Sequence, residues 1–383
     1  MFYKYYLIFA LLISSSAMAQ TISTVTDGAF SDALALDSQG NLYGSDWSGN
    51  TVYKYDPNTG VVTTFKDGFL NPNGIGINSS DEIYVCDHTR NRIYKYDTDG
   101  NELQVFLGSF VTPAGIKKMP NTEDMLVVEY GGGSYQSRIK MLSATGTVTT
   151  LYQGAPLNGP AGIAFVDDIP YVANFNDRKI FRFQDGALTE ISQLPSEGPP
   201  TRNFLGFLSS IDGHLIATHI GGHKVYKIDV STGETTVFAG SSMGNTDGDI
   251  GSATLDSPNG IIGDESNSRI YVSQGSLTSG NRNLRVIDGV TLSTETLELP
   301  SVSVSVFPNP SKDSLNIQLK GLYQSEVLMT IYDLTGKEVL KKKFENVGNQ
   351  LEEIVTTKDW SKGVYFLKIG NGNSLITKKI VID

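Results

Sequence analysis

Between about residue 27 and residue 293, short apolar runs alternate with polar turns in a recurring order. Each unit opens on a Pro/Gly/Asn lead-in that runs into a short apolar strand. The lead-ins read Pro72-Asn73-Gly74-Ile75, Pro113-Ala114-Gly115-Ile116, Pro160-Ala161-Gly162-Ile163 and Pro258-Asn259-Gly260-Ile261, with degenerate copies at Asp32-Ala33-Leu34-Ala35 and Phe204-Leu205-Gly206-Phe207. A polar turn such as Asp37-Ser38-Gln39-Gly40-Asn41 leads to a second apolar run, for example Ile83-Tyr84-Val85 or Ile270-Tyr271-Val272. The third run alternates apolar and polar positions, as in Val52-Tyr53-Lys54-Tyr55 and Ile180-Phe181-Arg182-Phe183, and a Thr-rich fourth run closes the unit. Alternation with a period of two predicts half-buried strands.

Measured from Ala33, Gly74, Gly115, Gly162, Gly206 and Gly260, the units recur at 41, 41, 47, 44 and 54 residues. A four-stranded unit of this length is the period of a propeller blade, so six copies predict a six-bladed β-propeller. Closing the ring requires an outer strand for the last blade. Ile22-Ser23-Thr24-Val25-Thr26-Asp27-Gly28 echoes Val62-Thr63-Thr64-Phe65-Lys66-Asp67-Gly68 and is the favoured candidate, with 291–297 as the alternative. A different grammar starts near Ser301, with strands around Leu315-Asn316-Ile317, Ile331-Tyr332-Asp333 and Gly363-Val364-Tyr365 over about 80 residues, which reads as a small β-sandwich. The expected fold class is all-β: a leader over 1–19, the propeller over 20–293, a linker over 294–303 and a C-terminal sandwich over 304–383.

The leader follows from Lys4, the apolar stretch from Leu7 to Ile13 and the Ala17-Met18-Ala19 cleavage pattern, which leaves Gln20 as the first mature residue. No later segment reaches the roughly 20 apolar residues of a membrane-spanning helix. The net charge of −11 argues against nucleic acid and against anionic membranes as partners. A single cysteine, Cys86, excludes an internal disulfide, and its apolar setting predicts a buried, inert thiol.

Two resemblances rest on these residues. Pro308-Asn309-Pro310, Tyr332-Asp333-Leu334-Thr335-Gly336, Gly363-Val364-Tyr365 and Lys379-Ile380-Val381 resemble the type A sorting domain of the type IX secretion system of Bacteroidetes. That resemblance implies export across the outer membrane, with the secretion machinery as a partner, and a secreted or cell-surface location. The propeller repeats, above all Ala239-Gly240, Asp247-Gly248, Pro258-Asn259-Gly260-Ile261 and Ile270-Tyr271-Val272, are similar to NHL repeats and to the SMP-30/gluconolactonase-like superfamily. The gluconolactonase resemblance implies a Glu, an Asn and an Asp around one divalent ion. Asn73 or Asn259 could match the Asn, but Asp27-Gly28-Ala29 stands where that family has Glu-Gly-Pro, which leaves one ligand without a counterpart.

Candidate site residues follow from register. The last residues of the second strands, Asp46, Asp87, Glu129, Asn174, His219 and Gln274, fall 12 to 14 residues after the lead-in positions and are all polar. If they point into a common funnel they ring its mouth; the alternative is that they only cap turns. Trp47, His88, Tyr130 and Phe175 follow them and add aromatic surface, and Asn73, Asn259 and Arg202 reach the same mouth from the lead-in loops. Insertions at 131–137, 195–203 and 241–257 fall on that face, where loop length marks binding. Carboxylates at Asp46, Asp87 and Glu129 suit Ca²⁺ or another hard cation, and His219 or Glu129 is the candidate for acid–base work. A zinc site from His214, His219 and His223 is disfavoured, because strands split by a turn do not bring them together.

The leading functional expectation is an exported propeller that binds a small molecule, glycan or peptide at its mouth. A metal-dependent lactone hydrolase is the alternative. A docking disc for adhesion and a lyase resembling the streptogramin-inactivating propellers are weaker readings.

Overall fold

A computed structural model describes residues 20–132, 136–275, 282–290, 303–320, 326–333, 337–345, 350–370 and 375–383. The chain divides into two compact units, 1–292 and 293–383. The leader lies outside the described residues.

The first unit is six antiparallel sheets: five are up-and-down runs of four strands and the sixth has five strands. In the first blade these are Leu34–Leu36, Leu42–Ser45, Val52–Asp56 and Val61–Lys66. The inner strands Leu34–Leu36, Pro72–Ile77, Pro113–Lys118, Pro160–Val166, Leu205–Ile211 and Pro258–Asp264 contact one another in sequence, and the last contacts the first. That closed ring of inner strands makes the sheets a six-bladed propeller around a central channel. Glycine at the lead-in is a packing requirement. A Cβ on Gly74 would collide with the carbonyl oxygen of Ala114 in the next blade, and one on Gly260 with that of Asp32.

The sixth blade holds Pro258–Asp264, Arg269–Gln274 and Asn283–Asp288, and its next strand is Thr21–Asp27 from the start of the chain. Thr21 pairs with Asp288, and Ser23 with Val286. The N-terminal segment therefore removes the open edge that an unfinished sheet would expose. The alternative strand, 291–297, lies outside the described residues. The 241–257 insertion adds a fifth, outermost strand, Gly248–Asp249, against Thr21 and Ile22. Asp247 in that insertion accepts from Thr24 N (3.1 Å), Thr24 Oγ1 (3.0 Å) and Arg285 Nη2 (2.7 Å). Much of this insertion thus clamps the closure seam instead of overhanging the mouth.

The second unit has a three-stranded sheet, Ser303–Phe307, Ser314–Lys320 and Gln350–Thr356, and a four-stranded sheet containing Glu338–Glu345, Glu326–Asp333, Gly363–Gly370 and Leu375–Ile382. Leu315, Ile317, Met329, Ile331, Leu367 and Ile380 form one core between them. Alternation along Ser314–Lys320 decides the face: Leu315, Ile317 and Leu319 are fully buried while the residues between them are not. Asn309 of the Pro-Asn-Pro segment donates to the Lys379 carbonyl (2.9 Å) and accepts from Val381 N (2.8 Å), so the first and last sequence motifs of this unit are bonded to each other.

Among the described residues, no helix is long and apolar enough to cross a membrane.

Candidate functional site

The six strand-end residues hold a constant register, but their side chains turn back into the blades. Asp87 accepts from Leu70 N (3.1 Å), Glu129 from Val111 N (2.7 Å), Asn174 Oδ1 from Asn158 N (3.0 Å) and Gln274 Oε1 from Asp256 N (3.3 Å). In each case the donor lies two residues before the lead-in proline. In the first blade the Ser31 hydroxyl donates to Asp46 at 2.9 Å, and in the fifth His219 binds the Pro195 carbonyl at 3.0 Å. Each residue therefore latches its lead-in loop to the second strand. A buried backbone N–H needs a partner, and in four of the blades one polar side chain supplies it.

The ring is buried, with none of its six residues more than 3% exposed. Asp46, Asp87 and Glu129 were the expected metal ligands and do not converge. Asp46 pairs with Arg282 (2.5 Å), Asp87 with Arg90 (3.1 Å), and Glu129 with both Arg138 (3.1 Å) and Lys140 (2.8 Å). Among the described residues, no group of three or more His, Cys, Asp or Glu side chains is placed to hold a metal.

His219 is equally committed. Its Nδ1 accepts from Gly222 N at 2.9 Å, so Nε2 carries the proton given to Pro195. Burial pulls its pKa below the ordinary histidine value, with the Pro195 bond and Glu197 opposing. A neutral ring with both nitrogens occupied has no lone pair to offer a substrate. Arg202 is half-buried on its loop and is not part of the mouth wall. The 131–137 insertion includes residues outside the described set.

The mouth is built one residue away from the predicted ring. A cavity of about 270 Å³ is lined by Asp32, Trp47, Asn73, His88, Tyr130, Ala161, Phe175, Phe207 and Asn259. Trp47, His88, Tyr130 and Phe175 each directly follow a latch residue, so strand alternation turns them out of the blade as the latch turns in. Their rings run edge to face around four blades: Trp47 to His88 at 5.1 Å, His88 to Tyr130 at 5.9 Å and Tyr130 to Phe175 at 6.2 Å. Phe204 stacks on Phe175 at 4.5 Å. All are half-buried.

Another part of the wall is polar. Asp32, Asn73 and Asn259 occupy one register position, just before the lead-in glycine or its counterpart Ala33, in the first, second and sixth blades. Asp32 is 3% exposed, Asn259 5% and Asn73 9%. Asn259 Nδ2 donates to the Asp32 carboxyl at 2.6 Å. Burial holds the Asp32 pKa well above the carboxylate range, the Asn259 bond acting against it and the Asp46 charge with it. Among the described residues, Asn73 Oδ1 and Asn259 Oδ1 on this wall and His88 Nδ1 in the aromatic arc are buried with no partner. Burial lowers the His88 pKa, opposed by its backbone bond to Pro113. Of the predicted mouth residues, Trp47, His88, Tyr130, Phe175, Asn73 and Asn259 come together. Asp32 was read only as a degenerate lead-in, although its alignment with Asn73 was visible.

Comparison with known proteins agrees with this architecture. Residues 305–383 match the Secretion system C-terminal sorting domain family, and residues 69–96 match the NHL repeat. The chain is a six-bladed propeller in which one segment matches the NHL repeat, followed by a unit that matches the sorting-domain family. The sorting-domain match indicates export and cell-surface sorting. No curated protein matches the sequence. The fold is similar to a gluconolactonase from Xanthomonas campestris (20% identity, TM-score 0.55, 70% of this chain and 89% of that one). It is similar to an auxiliary nutrient binding protein from Bacteroides thetaiotaomicron (17%, 0.55, 70% and 76%). It also resembles a calcium-binding regucalcin from Agrobacterium tumefaciens (11%, 0.50, 70% and 93%). At these identities the likeness is one of fold.

Proposed function

We propose that the propeller is an exported binding protein whose mouth takes a small neutral ligand with one flat or apolar face and several hydrogen-bonding groups. One observation carries this reading: Asn73, Asn259 and His88 line a cavity together with an arc of aromatic rings, and each carries a buried polar atom without a partner among the described residues. A buried polar atom without a partner costs about 1–3 kcal/mol, and a ligand that donates to it recovers that cost. Sugar rings and cyclic peptides have this split character, with an apolar face for Trp47 and Tyr130 and hydroxyl or amide donors for the asparagines. The nutrient-binding neighbour is a propeller of the same fold and adds support to the reading.

Thermal melting of the full chain against neutral glycans, short peptides and lactones tests the proposal. A ligand that raises the melting temperature of the natural protein but not of Asn73→Ala supports it. Unmoved curves across the panel would sink it.

A second reading, metal-dependent lactone hydrolysis, is favoured by the oxygen donors on the polar wall. Asp32, Asn73 and Asn259 offer one carboxyl and two amide oxygens, which fit a hard cation such as Ca²⁺ in kind. A bound cation there would supply Lewis-acid polarisation of a lactone carbonyl. Asp32 would have to be ionised to hold it, and its burial opposes that. Lactonase turnover that is abolished by chelator and by Asp32→Ala would establish this reading over simple binding.

A further inference from the structure

Below the mouth, the channel narrows into a second cavity of about 150 Å³ lined by residues further along the inner strands, with Ala161 and Phe207 shared between the two. Its lining side chains are mostly aliphatic, including Leu34, Ile77, Ile163 and Ile261, with polar surface interspersed, and the titratable residues that line it are Lys117 and Lys118. Lys118 is accounted for: its Nζ donates to the Met119 carbonyl at 3.2 Å and lies 4.0 Å from Glu123.

Lys117 is different. Counted from the lead-in, its register position holds Ala35, Gly76, Ala164, Leu208 and Ile262 in the other five blades, so one blade places an amine where the others place apolar groups. Among the described residues no carboxylate pairs with it, and burial is the one influence on its amine. Lys117 is half-buried, and the protein packed around the channel disfavours its ammonium form. Burial pulls its pKa down to about 8, so a sizeable fraction of the amine is neutral near physiological pH.

We infer that Lys117 is a nucleophilic amine in the central channel that captures small aliphatic aldehydes reversibly as an imine. The Nζ lone pair forms a C–N bond to the carbonyl carbon. The amine's two protons then leave with the carbonyl oxygen as water, which gives C=N with no oxidant or reductant consumed. The aliphatic side chains accept the alkyl chain, and a cavity of about 150 Å³ limits its size. This inference does not depend on what the mouth binds.

The test is reductive labelling of the full chain with propanal and cyanoborohydride at pH 7, followed by peptide mass mapping. Compared with an ordinary lysine near 10.4, an amine near 8 has on the order of a hundred times more neutral form at this pH. Its lower basicity offsets part of that gain, so Lys117 should gain the propyl group roughly ten- to a hundred-fold faster than surface lysines. The excess should level off as pH rises through about 8. A fused-ring aromatic aldehyde, too bulky for a cavity of about 150 Å³, should label surface lysines and spare Lys117. Lys118→Met should leave the pattern unchanged and Lys117→Met should remove the fast site; should that variant fail to fold, Lys117→Arg keeps the cation without the reactive amine. Labelling of Lys117 no faster than the surface lysines, or equal labelling by the broad aldehyde, overturns the assignment.

Discussion

Asn259 Nδ2 donates to the Asp32 carboxyl at 2.6 Å, joining the inner strand of the last blade to that of the first where the ring closes. The same amide also donates to the Ser31 carbonyl at 3.2 Å. The contact couples the closure seam to the polar wall of the mouth, so Asp32 carries an electrostatic cost that a merely structural residue would not need.

That cost has a pH signature. Burial raises the folded-state pKa of Asp32 above its unfolded value, so the folded protein holds this proton more tightly than the unfolded chain. The contribution to stability is fully present below about pH 4, the unfolded carboxyl pKa, and is lost as pH rises through the folded value. Asp32→Asn keeps an acceptor for Asn259 and removes the titration. It is expected to melt a few degrees higher than the natural protein at pH 7, with the gap closing toward pH 4. Equal melting temperatures across that range would count against a buried, proton-holding carboxyl.

The latch ring should separate stability from binding. Glu129 is fully buried between Arg138 and Lys140 and also accepts from Val111 N. Glu129→Gln keeps the shape but strands two cations, one of them partly in solvent, and is expected to cost about 3 kcal/mol in urea unfolding. Affinity for any ligand of the mouth should stay within about two-fold. A variant that folds with natural stability but loses the ligand would return Glu129 to the site.

How much of this was legible in the sequence follows from what each signal encodes. The blade period, the N-terminal strand and the sorting motifs are patterns of apolar spacing and turn residues, which local chain geometry translates directly. The register of the strand ends was legible too, since Asp46, Asp87, Glu129, Asn174, His219 and Gln274 do align and are all polar. Their direction was not. Whether Glu129 faces the channel or its own blade depends on Val111 N needing an acceptor and on Lys140 lying across the strand, and neither appears in a list of strand ends. The next residue along was the better guide, because Trp47, His88, Tyr130 and Phe175 are costly to expose singly yet align in four consecutive blades. Asp32 was easy to pass over although it aligns with Asn73, because its lead-in has neither proline nor glycine.

In the sorting domain, Asn309 holds the Lys379 and Val381 backbone with two hydrogen bonds, tying the start of the unit to its last strand. Asn309→Ala should lower the unfolding free energy of this unit by about 1–2 kcal/mol. In the full chain that would be read as earlier proteolysis within 304–383 while the propeller stays resistant. Loss of resistance in the propeller at the same protease concentration would contradict two separately cooperative units.

The mouth makes the most direct demand. Asn73 Oδ1 is buried without a partner, so in the absence of ligand Asn73→Ala removes an unsatisfied atom along with some packing, and stability should change by less than about 1 kcal/mol. Tyr130 is half-buried, its hydroxyl donates to Asn176 at 2.8 Å, and its ring faces His88 and Phe175. Tyr130→Phe therefore keeps the aromatic arc and should bind almost normally, whereas Tyr130→Ala opens the arc. For a ligand with an apolar face, Tyr130→Ala should weaken binding by roughly 1–2 kcal/mol, about ten-fold, and Asn73→Ala by a similar factor. Calorimetric titration of the three variants separates the contributions. If Tyr130→Phe loses as much affinity as Tyr130→Ala, the ligand reads the hydroxyl and not the ring, and the aromatic arc is a packing feature of the blades.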